Sequence, residues 1–280
     1  MNRSDTPLGT SPRGLELSWT SVGADDAPPI LMIHGITASG RYWLPRMLPL
    51  ARQHRLLVPD LPGFGLSPKP YVDYDMDFFT EALFGFIQRR ELEDRPISIV
   101  GHSLGALLAL EIAAREPERV KRLALLNVPR FESAEAAHQV MMDGSSSYRS
   151  LLLLNSWSAS VSQLRRVGWR LATRSLRRLP WEVLVDARRF TFRSLTSTLE
   201  HCLLHYRVDD TLARCSEQLP TLLIHGEQDQ PAPLSEVAAL TRRPPYPRLE
   251  TIPGGGHHLI HTHTAECLRL LEKFLAGNRE

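Results

Sequence analysis

The stretch "SIVGHSLGALLAL" (Ser98–Leu110) changes from strand-forming to helix-forming residues around a single serine. The β-branched residues at its start suit a buried strand, whereas the leucines and alanines from Leu104 onward suit a helix. Ser103 therefore lies at the bend between the two elements. Gly101 and Gly105 have no β-carbons to collide with the neighbouring strand and helix, so a sharp turn is possible here.

Such a turn would expose the hydroxyl group of its central residue. We expect the Ser103 hydroxyl to point out above the edge of the sheet, where the N–H groups that open the next helix face any oxyanion formed there. This geometry suits a nucleophile, provided that a base removes the proton and an acid orients the base. A tight, packed turn is the alternative interpretation of these three residues taken alone.

Two later segments offer the acid and the base. The stretch "PTLLIHGEQDQPAP" (Pro220–Pro233) is typical of a buried strand followed by a short loop with two carboxylates. The stretch "RLETIPGGGHHLIHTH" (Arg248–His263) is typical of a strand followed by three glycines and a pair of histidines. The order serine, acid, histidine, each after a strand, is one that serine triads adopt. The candidates are Glu227 and Asp229 for the acid, and His257 and His258 for the base.

From about residue 15 to residue 275 the sequence resembles the α/β-hydrolase superfamily, in the branch that has a helical cap between the strands numbered six and seven in that family. Besides "GHSLG", the resemblance rests on "LMIHGITASGRYW" (Leu31–Trp43), which is similar to the family's His-Gly oxyanion loop. It also rests on "LLVPDLPGFGLSPKP" (Leu56–Pro70), which is similar to the family's Asp-x-Pro-Gly-x-Gly-x-Ser loop. These motifs occur in the family's order.

The resemblance implies a role for each candidate. It implies that Ser103 is the nucleophile, that Asp229 rather than Glu227 is the acid, and that His257, directly after the glycines, is the base. The backbone N–H groups of Ile36 and Leu104 would form the oxyanion hole. The chemistry would be acyl transfer through an acyl-enzyme, for which no cofactor is required.

Other polar residues in these motifs have structural interpretations. His34 ends a strand and is expected to hold loop backbone. His102 adjoins the nucleophile but is expected to point elsewhere, because neighbouring side chains diverge at a sharp turn, and it is assigned no chemistry. Asp60 lies in a loop rich in proline and glycine, where a carboxylate commonly accepts backbone hydrogen bonds.

A group of histidines near the end of the chain raises the question of a metal site. Zinc requires partners of fixed geometry, but no cysteine or carboxylate pattern accompanies these histidines. A loop that runs into a helix would scatter their side chains in different directions. We therefore predict no metal at His257, His258, His261 and His263.

The order of predicted elements indicates an α/β fold. Candidate strands alternate with helices, which implies a mostly parallel α/β-hydrolase sheet flanked by helices. The alternation stops at residues 129–215, which we predict to be a helical cap inserted before the strand that precedes the acid. The core is then 13–128 and 216–280, after a disordered tail of residues 1–12. The strands are predicted near residues 14–20, 29–34, 54–59, 96–101, 122–127, 220–225 and 247–252.

The cap segment is basic, with 13 arginines against 8 acidic residues. A helical wheel over Leu164–Leu179 gathers arginines on one side and apolar residues on the other. We expect the apolar face to cover the active site, with the arginines solvated or paired. The alternative is that the basic face attracts an anionic substrate, an acyl carrier or an acidic membrane surface. The arginines are Arg166, Arg170, Arg174 and Arg177, and the apolar residues are Leu164, Leu171, Ala172 and Leu179.

Composition narrows the class of protein. The chain has 280 residues, enough for one large core, and its net charge of +2 provides no general attraction to nucleic acid. The first 14 residues contain no apolar stretch of signal-peptide length, and no segment approaches the roughly 20 apolar residues of a membrane-spanning helix. The three cysteines are too few and too scattered for a disulfide framework. We expect a soluble cytoplasmic protein that acts on a small-molecule acyl substrate, either apolar or anionic.

Three function classes fit the motifs. The first is a serine hydrolase that cleaves a carboxylic ester or a related acyl compound. The second is a carbon–carbon bond hydrolase, or a lyase or cyclase of a biosynthetic pathway, built on the same fold and triad. The third, a non-catalytic binding module, is disfavoured by the complete triad. Haloalkane dehalogenases and epoxide hydrolases of this fold carry an aspartate where this chain has Ser103.

Overall fold

A sheet of seven strands forms the centre of the protein. The structure, a computed structural model, describes residues 11–90, 92, 95–144, 181–186 and 189–277. The strand order is β1-β3-β2-β4-β5-β6-β7, with β1 antiparallel to β3 and every other pair parallel. The strands are β1 (Trp19–Val22), β2 (Pro29–Ile33), β3 (Arg55–Pro59), β4 (Ile97–His102), β5 (Val120–Leu126), β6 (Thr221–Gly226) and β7 (Arg248–Ile252). The predicted α/β fold with a mostly parallel sheet is confirmed.

Helices cover both faces of this sheet, as parallel strands require because all their crossover connections lie on the faces. A short π-helical segment, Leu199–Leu204, extends one of the helices, α5. The helices are α1 (Met76–Arg89), α2 (Leu104–Arg115), α3 (Ala134–Gly144), α4 (Trp181–Asp186), α5 (Phe192–Thr198), α6 (Val208–Leu212), α7 (Leu234–Ala238), α8 (Leu259–Thr262) and α9 (Thr264–Leu275).

Side chains alternate between two apolar layers, one on each face of the sheet. On β2, Leu31 and Ile33 pack in the layer that α1 and α2 cover. Ile30 and Met32 pack in the opposite layer, with the apolar side of α9. Because both faces are covered, β2 is buried along its whole length. This explains why the sequence of β2 is a continuous apolar run.

The first strand differs from its predicted position. The prediction near residues 14–20 followed the apolar residues Leu15 and Leu17, but β1 begins only at Trp19. Both leucines are buried without forming a strand. The reason is a side chain of α1: the guanidinium of Arg89 donates hydrogen bonds to the backbone carbonyls of Arg13 and Leu15, so these groups are satisfied without strand pairing.

The segment between β5 and β6 consists of helices, turns and irregular stretches where the structure describes it. The described parts of the predicted cap, residues 129–144, 181–186 and 189–215, contain α3 to α6 and no strand. The basic amphipathic stretch Leu164–Leu179 and residues 1–10 of the predicted tail lie outside the described residues. Pro12, at the end of that tail, begins a 3-10 turn. In the part of the chain that the structure describes, every helix is too short or too polar to cross a membrane.

Candidate active site

Ser103 occupies the one-residue bend between β4 and α2. Its backbone has φ 54° and ψ −119°, in a region that side-chain-bearing residues rarely adopt, which is typical of a strained functional turn. A β-carbon at Gly101 would lie 2.2 Å from the carbonyl oxygen of Gly105. A β-carbon at Gly105 would lie 2.1 Å from the carbonyl oxygen of Ile33. Both glycines are therefore required by close backbone approach, as the sequence predicts.

The structure brings Ser103, His257 and Asp229 into one row. Ser103 Oγ lies 3.0 Å from His257 Nε2. On the other side of the ring, His257 Nδ1 lies 2.9 Å from Asp229 Oδ2 and 3.1 Å from Oδ1. A proton on Nδ1 would form a hydrogen bond to the carboxylate and stay on the ring, which leaves Nε2 free to accept the serine proton. The three residues follow the carboxyl ends of β4, β6 and β7, which lie on one side of the parallel sheet with β5 between β4 and β6.

Asp229 is a buried carboxylate surrounded by donors. Its Oδ1 accepts a hydrogen bond from the backbone N–H of Ala232 at 2.9 Å. Burial alone would raise the pKa of Asp229, but His257, His225 and the hydrogen bond from Asn127 together outweigh burial, and the pKa lies below its usual value. The acid is therefore held as a carboxylate at neutral pH, the form that orients a histidine base.

Asn127 is a contributor that sequence reasoning missed. It is completely buried directly after β5, has φ 48°, and its Nδ2 donates to Asp229 Oδ2 at 2.5 Å. The same Nδ2 lies 3.4 Å from the carbonyl oxygen of Gly256, next to the base. The available signal was positional: Asn127 is a polar residue at the carboxyl end of a buried strand, as Ser103 and Asp229 are.

The rival candidates for acid and base lie elsewhere. Glu227 is exposed, and its carboxylate lies 3.4 Å from the hydroxyl of Thr251. The ring of His258 packs near Tyr42, and burial lowers the pKa of His258 to about 3. The geometry thus groups Asp229 and His257 with Ser103, in agreement with the sequence-based choice, and their catalytic roles stay a prediction.

The His-Gly loop, defined here as residues 34–43, lies against Ser103. A β-carbon added to Gly35 would lie 3.2 Å from the β-carbon of Ser103. Thr37 in this loop has φ 63°, so the loop turns sharply just after Ile36. Leu104 is the first residue of α2 and follows Ser103 directly. The assignment of the Ile36 and Leu104 N–H groups to an oxyanion hole stays a prediction.

His34 and Asp60 hold the loops around the site. His34 Nδ1 lies 2.8 Å from the carbonyl oxygen of Gly35, and its Nε2 accepts a hydrogen bond from the N–H of Leu61 at 2.9 Å. Burial lowers the pKa of His34, which favours this neutral form. The carboxylate of Asp60 accepts backbone hydrogen bonds from Gly40 and Leu66, each at 2.7 Å. Both residues have the structural contacts that the sequence predicts.

The expectation for His102 was wrong in one respect. Its ring does not point away from the site: Nε2 lies 2.7 Å from the backbone carbonyl oxygen of His257, and the ring stacks on Tyr42 with centroids 4.6 Å apart. Neighbouring side chains do diverge at the bend, but the segment after β7 folds back over His102. Burial and the nearby histidines hold the pKa of His102 well below its usual value. His102 therefore supports the backbone of the candidate base.

Within the residues that the structure describes, no three His, Cys, Asp or Glu side chains converge in a way that could hold a metal ion. His258 and His261 instead pack around Tyr42, with ring centroids 6.0 Å and 4.7 Å from its ring. The three cysteines, Cys202, Cys215 and Cys267, are free thiols and are buried.

Comparisons with known proteins identify the family of this chain. A family model described as alpha/beta hydrolase fold matches residues 28–264. A putative non-heme chloroperoxidase from Synechocystis sp. is 29% identical over 272 residues, which cover 93% of this chain and 95% of that protein. A putative carbamate hydrolase from Pseudomonas savastanoi pv. phaseolicola is 30% identical over 254 residues, which cover 89% of this chain and 94% of that protein.

Solved structures show the same architecture. The crystal structure of a hydrolase from Pseudomonas aeruginosa superposes with a TM-score of 0.75 at 21% sequence identity. The superposition covers 96% of this chain and 97% of that one. At this identity the likeness establishes a common fold and leaves the substrate open.

Proposed function

The chain belongs to the α/β-hydrolase fold family, and on that premise we propose that it is a serine hydrolase that cleaves a carboxylic ester or a related acyl substrate. The proposal rests on one observation, the row of hydrogen-bonding distances from Ser103 Oγ through His257 to the carboxylate of Asp229. Nucleophile, base and orienting acid within such reach are the parts that two-step acyl transfer requires.

In the first step, His257 Nε2 takes the proton of the Ser103 hydroxyl while Oγ attacks the carbonyl carbon of the substrate. The carbonyl oxygen becomes an oxyanion, which would accept hydrogen bonds from the N–H groups of Ile36 and Leu104. Collapse of this intermediate breaks the bond to the leaving group, which takes its proton from His257. Water, deprotonated by the same Nε2, then attacks the acyl-enzyme and releases the acid and free Ser103.

Asp229 would hold the tautomer of His257 that this sequence needs. The Nδ1 proton stays on the ring and is hydrogen-bonded to the carboxylate, so Nε2 is unprotonated and can accept a proton at the start of each step. The positive charge that the imidazole gains on taking the serine proton is then balanced by the buried carboxylate. Asn127 and the N–H of Ala232 would keep that carboxylate ionised and fixed in direction.

Several kinds of acyl substrate fit this mechanism. The name of the relative from Pseudomonas savastanoi points to a carbamate, which shares with esters and thioesters an acyl carbon that a serine can attack. We therefore include carbamates beside esters and thioesters as substrates for the test. β-Diketones complete the panel, because their cleavage would indicate the carbon–carbon hydrolase class instead.

The test combines labelling with turnover. Purified protein is treated with a fluorophosphonate, which should label Ser103 and fail to label Ser103→Ala. The substrate panel is then screened with the products measured by mass. Hydrolysis of an acyl ester, lost by about 10³-fold or more in Ser103→Ala and His257→Ala, is expected. Absence of labelling in the wild type would favour a binding module, and cleavage of the β-diketones alone would replace the ester proposal.

A further inference from the structure

Helix α4 directs two acidic side chains toward the core, Glu182 and Asp186, which lie one helical turn apart. The carboxylate of Asp186 is 1% exposed, accepts a hydrogen bond from the hydroxyl of Ser39 and forms an ion pair with the guanidinium of Arg41. Arg189 approaches the same carboxylate at 3.8 Å. Two of these three partners belong to the His-Gly loop, 145 and 147 residues away in sequence.

The middle of the His-Gly loop is therefore held from two sides. On the core side, Asp60 accepts the N–H of Gly40 at 2.7 Å. On the α4 side, Asp186 binds the residues before and after that glycine, and the Ser39 hydroxyl in turn accepts the N–H of Arg41 at 3.3 Å. Only Thr37 and Ala38 separate this clamped stretch from Ile36.

Burial makes the contact with Asp186 hard to break. A carboxylate out of water is tolerated only when it is paired and hydrogen-bonded, because its desolvation is otherwise uncompensated. Moving α4 away from the loop would leave the Asp186 charge without the Ser39 and Arg41 partners. Helix α4 and the His-Gly loop therefore shift together.

We propose that Asp186 is a positioning residue that couples α4 to the oxyanion-binding loop and so sets the direction of the Ile36 N–H. This inference rests on the proposed function, since only acyl transfer gives that N–H a charge to stabilise. Donors must lie within a few tenths of an ångström of the developing oxyanion to be effective. Loosening the loop should therefore slow the chemical step more than it weakens substrate binding.

Glu182 supplies a matched control from the same helix. It forms an ion pair with Arg46 at 2.8 Å and lies 3.4 Å from His261 Nδ1, and both partners are outside the His-Gly loop. Replacing Glu182 removes an acidic contact between α4 and the core and leaves the Ser39 and Arg41 contacts in place. A general effect of loosening α4 should appear in both sets of variants, whereas positioning of the loop should appear only at Asp186.

The experiment compares Asp186→Ala and Asp186→Asn with Glu182→Ala and Glu182→Gln. For an ester that the wild type hydrolyses, we expect Asp186→Ala to lower kcat about tenfold or more with KM changed by less than about threefold. Asp186→Asn keeps an oxygen acceptor for Ser39 and should lose less. The Glu182 variants should stay within about threefold of the wild type in kcat. Circular dichroism and thermal unfolding establish that each variant is folded. If Asp186→Ala does not fold, the comparison is made with Asp186→Asn, which is the smaller change.

A second readout does not depend on the substrate. Amide hydrogen exchange of a peptide covering residues 34–43 should be faster in Asp186→Ala, and in Ser39→Ala, than in the wild type and Glu182→Ala. Equal exchange or equal kcat in the Asp186 and Glu182 variants would overturn the proposal. If the wild type neither reacts with a fluorophosphonate nor hydrolyses any ester, the proposed function fails, and the exchange data alone then decide whether Asp186 holds the loop.

Discussion

Replacing Asn127 by glycine should weaken catalysis without disturbing the backbone at that position. The change removes the Nδ2 donor 2.5 Å from Asp229 Oδ2, and glycine adopts the observed φ of 48° without steric cost. A hydrogen bond to a charged group contributes about 1.5–3 kcal/mol. If that contribution is realised when His257 becomes charged, kcat/KM should fall about 10- to 100-fold, at about 1.4 kcal/mol per factor of ten.

The assay is kcat/KM for an ester that the wild type hydrolyses, together with the rate at which a fluorophosphonate labels Ser103. Asn127→Ala keeps a β-carbon at positive φ but lacks the polar side chain that lets asparagine adopt this conformation, so it should lose similar activity and also unfold at a lower temperature. Glu227→Gln is the control, because Glu227 lies on the same loop as Asp229 but is exposed. An Asn127→Gly variant within twofold of the wild type in both rates would refute the assigned role of the amide.

Three more predictions follow from the same structure. Asp229→Asn should reduce turnover of an ester far more than Glu227→Gln, because only the partner of the base controls its tautomer; equal losses would leave the acid unassigned. Gly105→Ala should destabilise the fold by about 1–3 kcal/mol or more in denaturant unfolding, since its β-carbon would lie 2.1 Å from a backbone oxygen of β2. Burial holds the pKa of His102 well below its usual value and lowers the pKa of His261 to about 4, so both stay neutral when folded and protonate near pH 6.5 when unfolded. The free energy of unfolding should therefore fall as the pH drops from 6.5 towards 4, by up to about 1.4 kcal/mol per pH unit for each histidine. The fall should be smaller in His261→Gln, which lacks one of the two groups. Equal free energies of unfolding at pH 7.5 and pH 5 would contradict this.

The positions of the central strands could be read from the sequence because of where they lie. Strands buried on both faces are continuous apolar runs bounded by glycine, proline or charged residues, and β2 and β6 are such runs. The first strand was misplaced because Leu15 and Leu17 are buried for a different reason, the binding of their segment to α1. Buried residues are apolar whether or not they form a strand, so the sequence does not distinguish the two cases, and only the backbone hydrogen-bond partners in the structure do.

The candidate site could be predicted only in part, because some of its contacts join residues that are far apart in the sequence. Ser103, Asp229 and His257 each follow a recognisable strand, so local pattern and order made them candidates, and the family resemblance chose Asp229 over Glu227 and His257 over His258. Asn127 has no fixed spacing to any of them, and the contact of His102 with the carbonyl of His257 joins residues 155 apart. The bond between Ser39 and Asp186 is of the same kind. Contacts of this type depend on how separate segments fold over one another, and no local pattern encodes them.

The backbone of Ser103 implies that this protein gives up some stability at its proposed nucleophile. Conformations of this kind cost roughly 1–3 kcal/mol at a residue with a side chain, out of a total of about 5–15 kcal/mol for a typical domain. A glycine there would relieve the strain and abolish the hydroxyl at once, whereas an alanine abolishes the hydroxyl and keeps the strain. We expect Ser103→Gly to be inactive and to be the better choice for capturing an intact bound substrate by crystallography, since it removes both the hydroxyl and the β-carbon that the bend resists.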